Sequence, residues 1–223
     1  MLAHQELAKV SNQAAGCTVT TGGYKISHFQ DIYTFWDTPG LNEGEHGNVP
    51  TQEAFANLHK LVQERGVNLI VYCVRGSRLT EIVRVNYDLF WGIMCEGKVP
   101  IVLLVTGLEL QSNMNDWWKK NEQLVEQMGL GFDGHACVTT ISGVHEEKYR
   151  DSEDMIWELV KKHCKADPWV PSPQLLAEVP RKMDTYMKRY NARSGKERKG
   201  LPAFHQHASR ARSASTVCWL LIT

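Results

Sequence analysis

Up to Cys164, short apolar runs alternate with stripes of apolar residues at helical spacing. Asp31–Trp36 (DIYTFW) is rich in aromatic and β-branched residues and predicts a strand, with Tyr24–Ser27 (YKIS) as its hairpin partner. Asn68–Val74 (NLIVYCV) and Pro100–Thr106 (PIVLLVT) are continuously apolar, as strands buried on both faces of a parallel sheet are. His135–Ile141 (HACVTTI) is a fifth candidate strand.

Between these runs the period changes to that of a helix. In residues 51–65, Ala54, Phe55, Leu58, Leu61 and Val62 share one face, and Gly66 follows as a stop. Further stripes are Ile82, Val85, Leu89 and Ile93 in 79–94, and Trp117, Leu124, Val125 and Met128 in 114–128, with Asn121 on the same face. Of the Trp117–Trp118 pair, one ring is expected inside and one half out. The last stripe is Met155, Ile156, Leu159 and Val160 in 153–163, with Ser152 as the expected N-cap. Strand alternating with helix predicts right-handed βαβ crossovers, an α/β three-layer sandwich with a mostly parallel sheet.

After Cys164 the pattern changes. Pro168, Pro171, Pro173 and Pro180 mark residues 166–190 as a Pro-rich linker carrying a short, broken helix over about Leu175 to Tyr190. Residues 191–223 read as a basic tail, disordered over its Ser-, Arg- and Lys-rich part, with an apolar finish at Val217–Thr223. Residues 1–165 are thus the expected folded domain.

Composition sharpens this division. The 223 residues carry 25 basic and 25 acidic side chains and are 43% hydrophobic, which excludes a wholly disordered chain. The even balance hides a net charge of −8 in residues 1–180 and +8 in 181–223. The basic end lacks aromatic stacking platforms, so no specific nucleic-acid partner is expected. Six cysteines without a CxxC pair fit free thiols in a reducing compartment. No apolar run approaches the roughly 20 residues of a membrane span, and residues 1–11 lack a signal-peptide core. The expected setting is cytoplasmic.

The sharpest candidate chemistry is Asp37-Thr38-Pro39-Gly40, directly after the strand Asp31–Trp36. Ligands of open α/β sheets bind at the carboxyl ends of the strands. An Asp there can hold Mg²⁺ through water, and Gly40 would let its N–H approach a γ-phosphate. D-x-x-G alone equally describes a strand followed by a Pro-Gly turn. The extended run Asp37-Thr38-Pro39-Gly40-Leu41-Asn42-Glu43 resembles the DTPGLxE of P-loop GTPases, closest to the septin-like and immunity-associated branch and to G-domain proteins common in fungi. The resemblance covers roughly Ala14 to Lys162.

That resemblance implies a G domain binding GTP or GDP with Mg²⁺. Thr18, in Gly16-Cys17-Thr18, falls where the family's switch I threonine meets Mg²⁺ and the γ-phosphate, with Thr20 and Thr21 as competitors for the role. Thr18 and Asp37 are the implied metal residues. Thr106-Gly107-Leu108-Glu109 falls where the family's NKxD reads the base, so Thr106 and Glu109 are implied base contacts, Glu109 accepting from guanine N1–H and N2–H₂. Thr139-Thr140-Ile141 falls where a backbone N–H meets the base O6, which adds Thr140. With Thr38 and Gly40 these complete the implied nucleotide site.

The family's phosphate loop, G-x-x-x-x-G-K-[ST], does not precede Asp37. Gly92–Lys98 fits seven of its places, but Val99 replaces Ser/Thr, and the segment closes a helix and opens a strand, the reverse of the required order. Gly195-Lys196 lacks the leading Gly. The place of the water-orienting Gln is held by Leu41, with Asn42, Glu43 and His46 nearby. The expectation is a P-loop NTPase-like sheet lacking its first strand and phosphate loop, with a central gap that N-terminal residues or a partner fill. The functions that follow are GTP binding with hydrolysis, a nucleotide-free pseudo-GTPase that works through a homodimer or protein partner, or a fragment of a longer GTPase. The histidines and cysteines (His135/Cys137, His145, His163/Cys164) do not have zinc-site spacing.

Overall fold

The computed structural model describes residues 1–2, 22–38, 52–77, 79–143, 145–200 and 217–222, of which 22, 38, 52–55, 194–200 and 217–222 are described as backbone. The strands are β1 (Gly22–His28), β2 (Asp31–Thr38), β3 (Leu69–Arg75), β4 (Ile101–Thr106), β5 (Gly134–Cys137) and β6 (Val217–Ile222). The helices are α1 (Gln52–Arg65), α2 (Glu81–Tyr87), α3 (Asp116–Gln127), α4 (Glu146–His163) and α5 (Pro173–Gly200), and a π-helical segment, Asp88–Met94, continues α2.

The six strands form one sheet in the order β1-β2-β6-β3-β4-β5. β3, β4 and β5 are parallel neighbours, as the unbroken apolar runs predict. The expectation of a mostly parallel sheet needs correction, because β1–β2, β2–β6 and β6–β3 are all antiparallel. The fold is mixed α/β with a three-strand parallel part flanked by helices.

Alternation along β3 and β4 builds the core on both faces. Ile70, Tyr72 and Val74 meet Leu58 and Val62 of α1, Val83 of α2, Trp117 and Val125 of α3, and Leu175 and Val179 of α5 in one buried cluster. Leu69, Val71 and Cys73 face the other way, with Val102, Leu104, Phe35 and the α4 residues Ile156, Trp157 and Val160. Period-two strands between period-3.6 helices thus give three layers. Trp117 is buried and Trp118 half-buried, stacked on His135 with centroids 3.8 Å apart.

Several boundaries differ from the pattern. α1 ends at Arg65, and Gly66 takes φ +71°, as expected of a C-terminal stop. α4 begins seven residues before the expected 153, so Ser152 is not a cap; it lies fully buried inside the helix. The expected break at Pro180 does not occur, because α5 runs 28 residues through it. Leu175 and Val179 anchor α5, the Tyr186 hydroxyl donates to Asp88 Oδ2 at 2.7 Å, and Lys182 Nζ lies 3.5 Å from Glu96 Oε1. Of the expected basic tail, residues 191–200 continue α5 and Val217–Ile222 form β6, and residues 201–216 lie outside the described residues. The gap at the sheet's centre, expected to be filled by N-terminal residues or a partner, is instead filled by β6, the strand from the far end of the sequence.

Candidate functional site at the carboxyl edge of the sheet

β3, β4 and β5 end together, at Arg75, Thr106 and Cys137, and the following turns meet above them. The β4 turn depends on two glycines. Gly107 has φ +75°, and a Cβ there would stand 3.1 Å from Arg75 Cγ. Gly76 lies under the turn, where a Cβ would meet Leu108 Cδ2 at 2.3 Å. The gap admits the Gly76 N–H, which donates to Thr106 O at 2.7 Å. Thr106 donates its hydroxyl to Val74 O at 3.4 Å. Leu108 is 1% exposed and pins the turn, which leaves the neighbouring Glu109 half-buried at its surface.

Glu109 belongs to a closed ring of hydrogen bonds. The fully buried Thr139 hydroxyl donates to Glu109 Oε2 at 3.5 Å, and the Thr139 N–H donates to Ser152 Oγ at 3.0 Å. Ser152 donates its hydroxyl to Lys148 O at 2.6 Å. The Lys148 ammonium donates back to Glu109 O at 3.1 Å and to Gln111 O at 2.6 Å. Thr139 Oγ1 also accepts from Ile141 N at 3.2 Å. Two loops and one helix are therefore bound through four side chains. The arrangement offers a fixed carboxylate at the end of β4, able to accept from a planar donor pair.

The predicted residues divide three ways. Thr106 and Glu109 come together at this edge, and the segment Thr139–Ile141 joins them. Within it Thr139 makes the contact with Glu109, while Thr140 is exposed. Asp37 and Thr38 lie inside β2 rather than after it. Asp37 is level with Leu220, Val71 and, through β3, Val102. That is four residues short of Thr106, ~13 Å back along the strand direction and three strands across. Asp37 thus does not join Thr106 and Glu109. Thr18, Thr20, Thr21, Gly40, Leu41, Asn42, Glu43 and His46 lie outside the described residues. Among the described residues no group of three or more His, Cys, Asp or Glu is placed to hold a metal. Gly92–Lys98 closes the π-helical segment and leads into β4, as its order in the chain predicts.

Lys148 and Ser152 are the members of the ring that sequence reasoning missed. They are 39 and 43 positions from Glu109, and no local pattern links a buried helix serine to a loop carboxylate so far away. A second tie lies at the opposite, amino edge of the sheet, just before β5. The Tyr87 hydroxyl donates to Gly131 O at 2.6 Å and accepts from Gly131 N at 3.1 Å, and burial raises its pKa. Among the described residues no helix is long and apolar enough to cross a membrane.

No protein-family model matches this chain, and no curated protein matches it.

Proposed function

We propose that this chain is a guanine-nucleotide-binding protein of G-domain type, with the base end of its site at the carboxyl edge of β4 and β5. The observation that supports this reading is the anchoring of Glu109. Its carboxylate takes a hydrogen bond from buried Thr139, and its backbone carbonyl takes one from Lys148. A carboxylate has about four acceptor positions, so one such bond leaves capacity for the N1–H and N2–H₂ of guanine. Adenine presents no matching donor pair. The resemblance to P-loop GTPases supplies the rest: Thr106 and Thr140 beside the base, Thr18, Thr38, Asp37 and Gly40 toward phosphate and Mg²⁺.

GTP hydrolysis is no part of this proposal. It would need phosphate-loop amides and a water-orienting side chain, and Leu41 has no hydrogen-bonding group. A second reading, a nucleotide-free pseudo-GTPase that binds a protein partner, is favoured by the position of Asp37 inside β2, away from Glu109.

The test is a fluorescence titration of the purified chain with labelled GTP in Mg²⁺, competed by GTP, GDP and ATP. The expected result is micromolar binding displaced by GTP and GDP but not ATP, weakened about tenfold or more by Glu109→Ala, which corresponds to about 1.4 kcal/mol. No binding up to millimolar nucleotide, by a chain that is folded by circular dichroism, would overturn the reading in favour of the partner-binding one.

A further inference from the structure

β6 joins the two halves of the sheet and lies far along the chain from both its neighbours. It pairs with β2 from Phe35↔Ile222 to Thr38↔Trp219 and with β3 from Leu69↔Ile222 to Val74↔Val217. Both pairings are antiparallel, so β2 and β3 run the same way with a channel one strand wide between them. Two sets of contacts hold β2 in place independently of β6. On one face Tyr33 and Phe35 pack on Trp157 of α4, with centroids 5.4 and 5.8 Å away. On the other, the Arg65 guanidinium of α1 lies 5.7 Å from the Trp36 ring. Direct pairing of β2 with β3 would need a shift of ~4.8 Å, one strand spacing, and would break these contacts.

Residues 201–216 of the sequence separate the end of α5 from β6. α5 is anchored through Leu175, Val179 and the Tyr186–Asp88 bond, and by residues 191–193 it is exposed. The contacts of β6 run chiefly along β2 and β3. Its sequence, VCWLLI, is apolar throughout, as suits a strand covered on both faces.

We propose that the channel between β2 and β3 is a strand-acceptor slot. Val217–Ile222 is its exchangeable insert, supplied by the same chain, and the slot accepts an extended apolar peptide of that sequence in trans, antiparallel to β3. Two backbone ladders provide the recognition, which is strand addition made at the centre of a sheet instead of at an edge. The inference is independent of the nucleotide reading.

The test uses the full chain with a protease site written into residues 205–210, cut only after folding. The cut protein is incubated with a fluorescent peptide of residues 216–223, or with the same peptide carrying Leu220→Pro, which removes a ladder N–H. The expected result is co-elution of the labelled peptide with the body, at least tenfold weaker binding of the proline peptide, and slow hydrogen exchange retained in 31–38 and 69–75. The uncut chain carrying Leu220→Pro is expected to exchange faster in 31–38. If the cut segment stays bound and never exchanges, the slot is not exchangeable and the proposal fails. It also fails if the segment departs and exchange in 31–38 and 69–75 does not change. A dimer in which 217–222 of one copy crosslinks to 31–38 of another would overturn the assignment to the same chain.

Discussion

The hydroxyl of Thr139, fully buried at the end of β5, donates to the carboxylate of Glu109, thirty positions earlier at the end of β4. Thr139→Val keeps the shape and removes the hydroxyl. It strands the Ile141 N–H and one Glu109 oxygen, and the expected cost is about 1–3 kcal/mol of folding stability. Thr139→Ser should recover most of it. Urea denaturation of the three proteins decides the point, and equal midpoints for wild type and Val would show that the bond contributes nothing.

Gly76 and Leu108 are predicted to be coupled. A Cβ at position 76 would stand 2.3 Å from Leu108 Cδ2, so Gly76→Ala should cost about 1–3 kcal/mol through overpacking. Leu108→Ala alone leaves a cavity, at about 2–5 kcal/mol. In the double variant the new methyl enters space vacated by Leu108, so the combined loss should be smaller than the two added together. Additive losses would mean that the Gly76→Ala strain is relieved elsewhere.

His135 predicts a pH dependence. Its ring lies on Trp118, 3.8 Å away and within 13° of parallel. Partial burial lowers its pKa from the ordinary 6.5, with the Glu122 carboxylate opposing the shift. Between the lowered value and 6.5 the unfolded chain binds a proton that the folded chain does not. This contribution is therefore fully present above pH 6.5 and is lost as the pH falls through the folded value. His135→Phe retains a ring on Trp118 and removes the titration. Its denaturation midpoint should fall less between pH 7 and pH 5 than that of wild type. Parallel profiles for the two proteins would exclude His135 as the source.

The cysteines should react in an order set by burial. Burial pushes the Cys95 thiol far above its ordinary value and the Cys137 thiol up to about 11, and it raises half-buried Cys164 less. The thiolate is the reactive form. In native protein at pH 8 a maleimide should therefore leave Cys95 and Cys137 unmodified and label Cys164 slowly, and all three should react in denaturant. Peptide mass spectrometry after timed quenching reads the order. Rapid native labelling of Cys95 would contradict the packing around it.

Most of the elements were legible in the sequence because the period of the apolar residues is a local property. The runs at Leu69–Arg75 and Ile101–Thr106, the stripe of α1 and its stop at Gly66 all follow from neighbouring side chains. The early start of α4 was not legible, because its first turns, rich in charge, carry no apolar stripe. Pro180 was misleading. Its missing N–H forfeits one helical bond, but burial of Leu175 and Val179 on the body holds α5 continuous around it. At the candidate site, Thr106 and Glu109 were indicated only by the resemblance to G domains. The choice of Thr139 over Thr140 was not legible, since side-chain direction after β5 depends on where Ser152 lies.

By itself the sequence determined the α/β class and the two-faced burial of the parallel strands. These rest on residue period. Only the tertiary structure decided which strand occupies the centre of the sheet, and in which direction. An apolar hexapeptide such as Val217–Ile222 fits any slot covered on both faces, and its pairing with β2 and β3 is a contact across more than 140 positions of sequence. It decided the Glu109–Thr139–Ser152–Lys148 ring for the same reason: hydrogen bonds between distant residues leave no mark on local composition, and they form only where the packed layers bring the groups within reach.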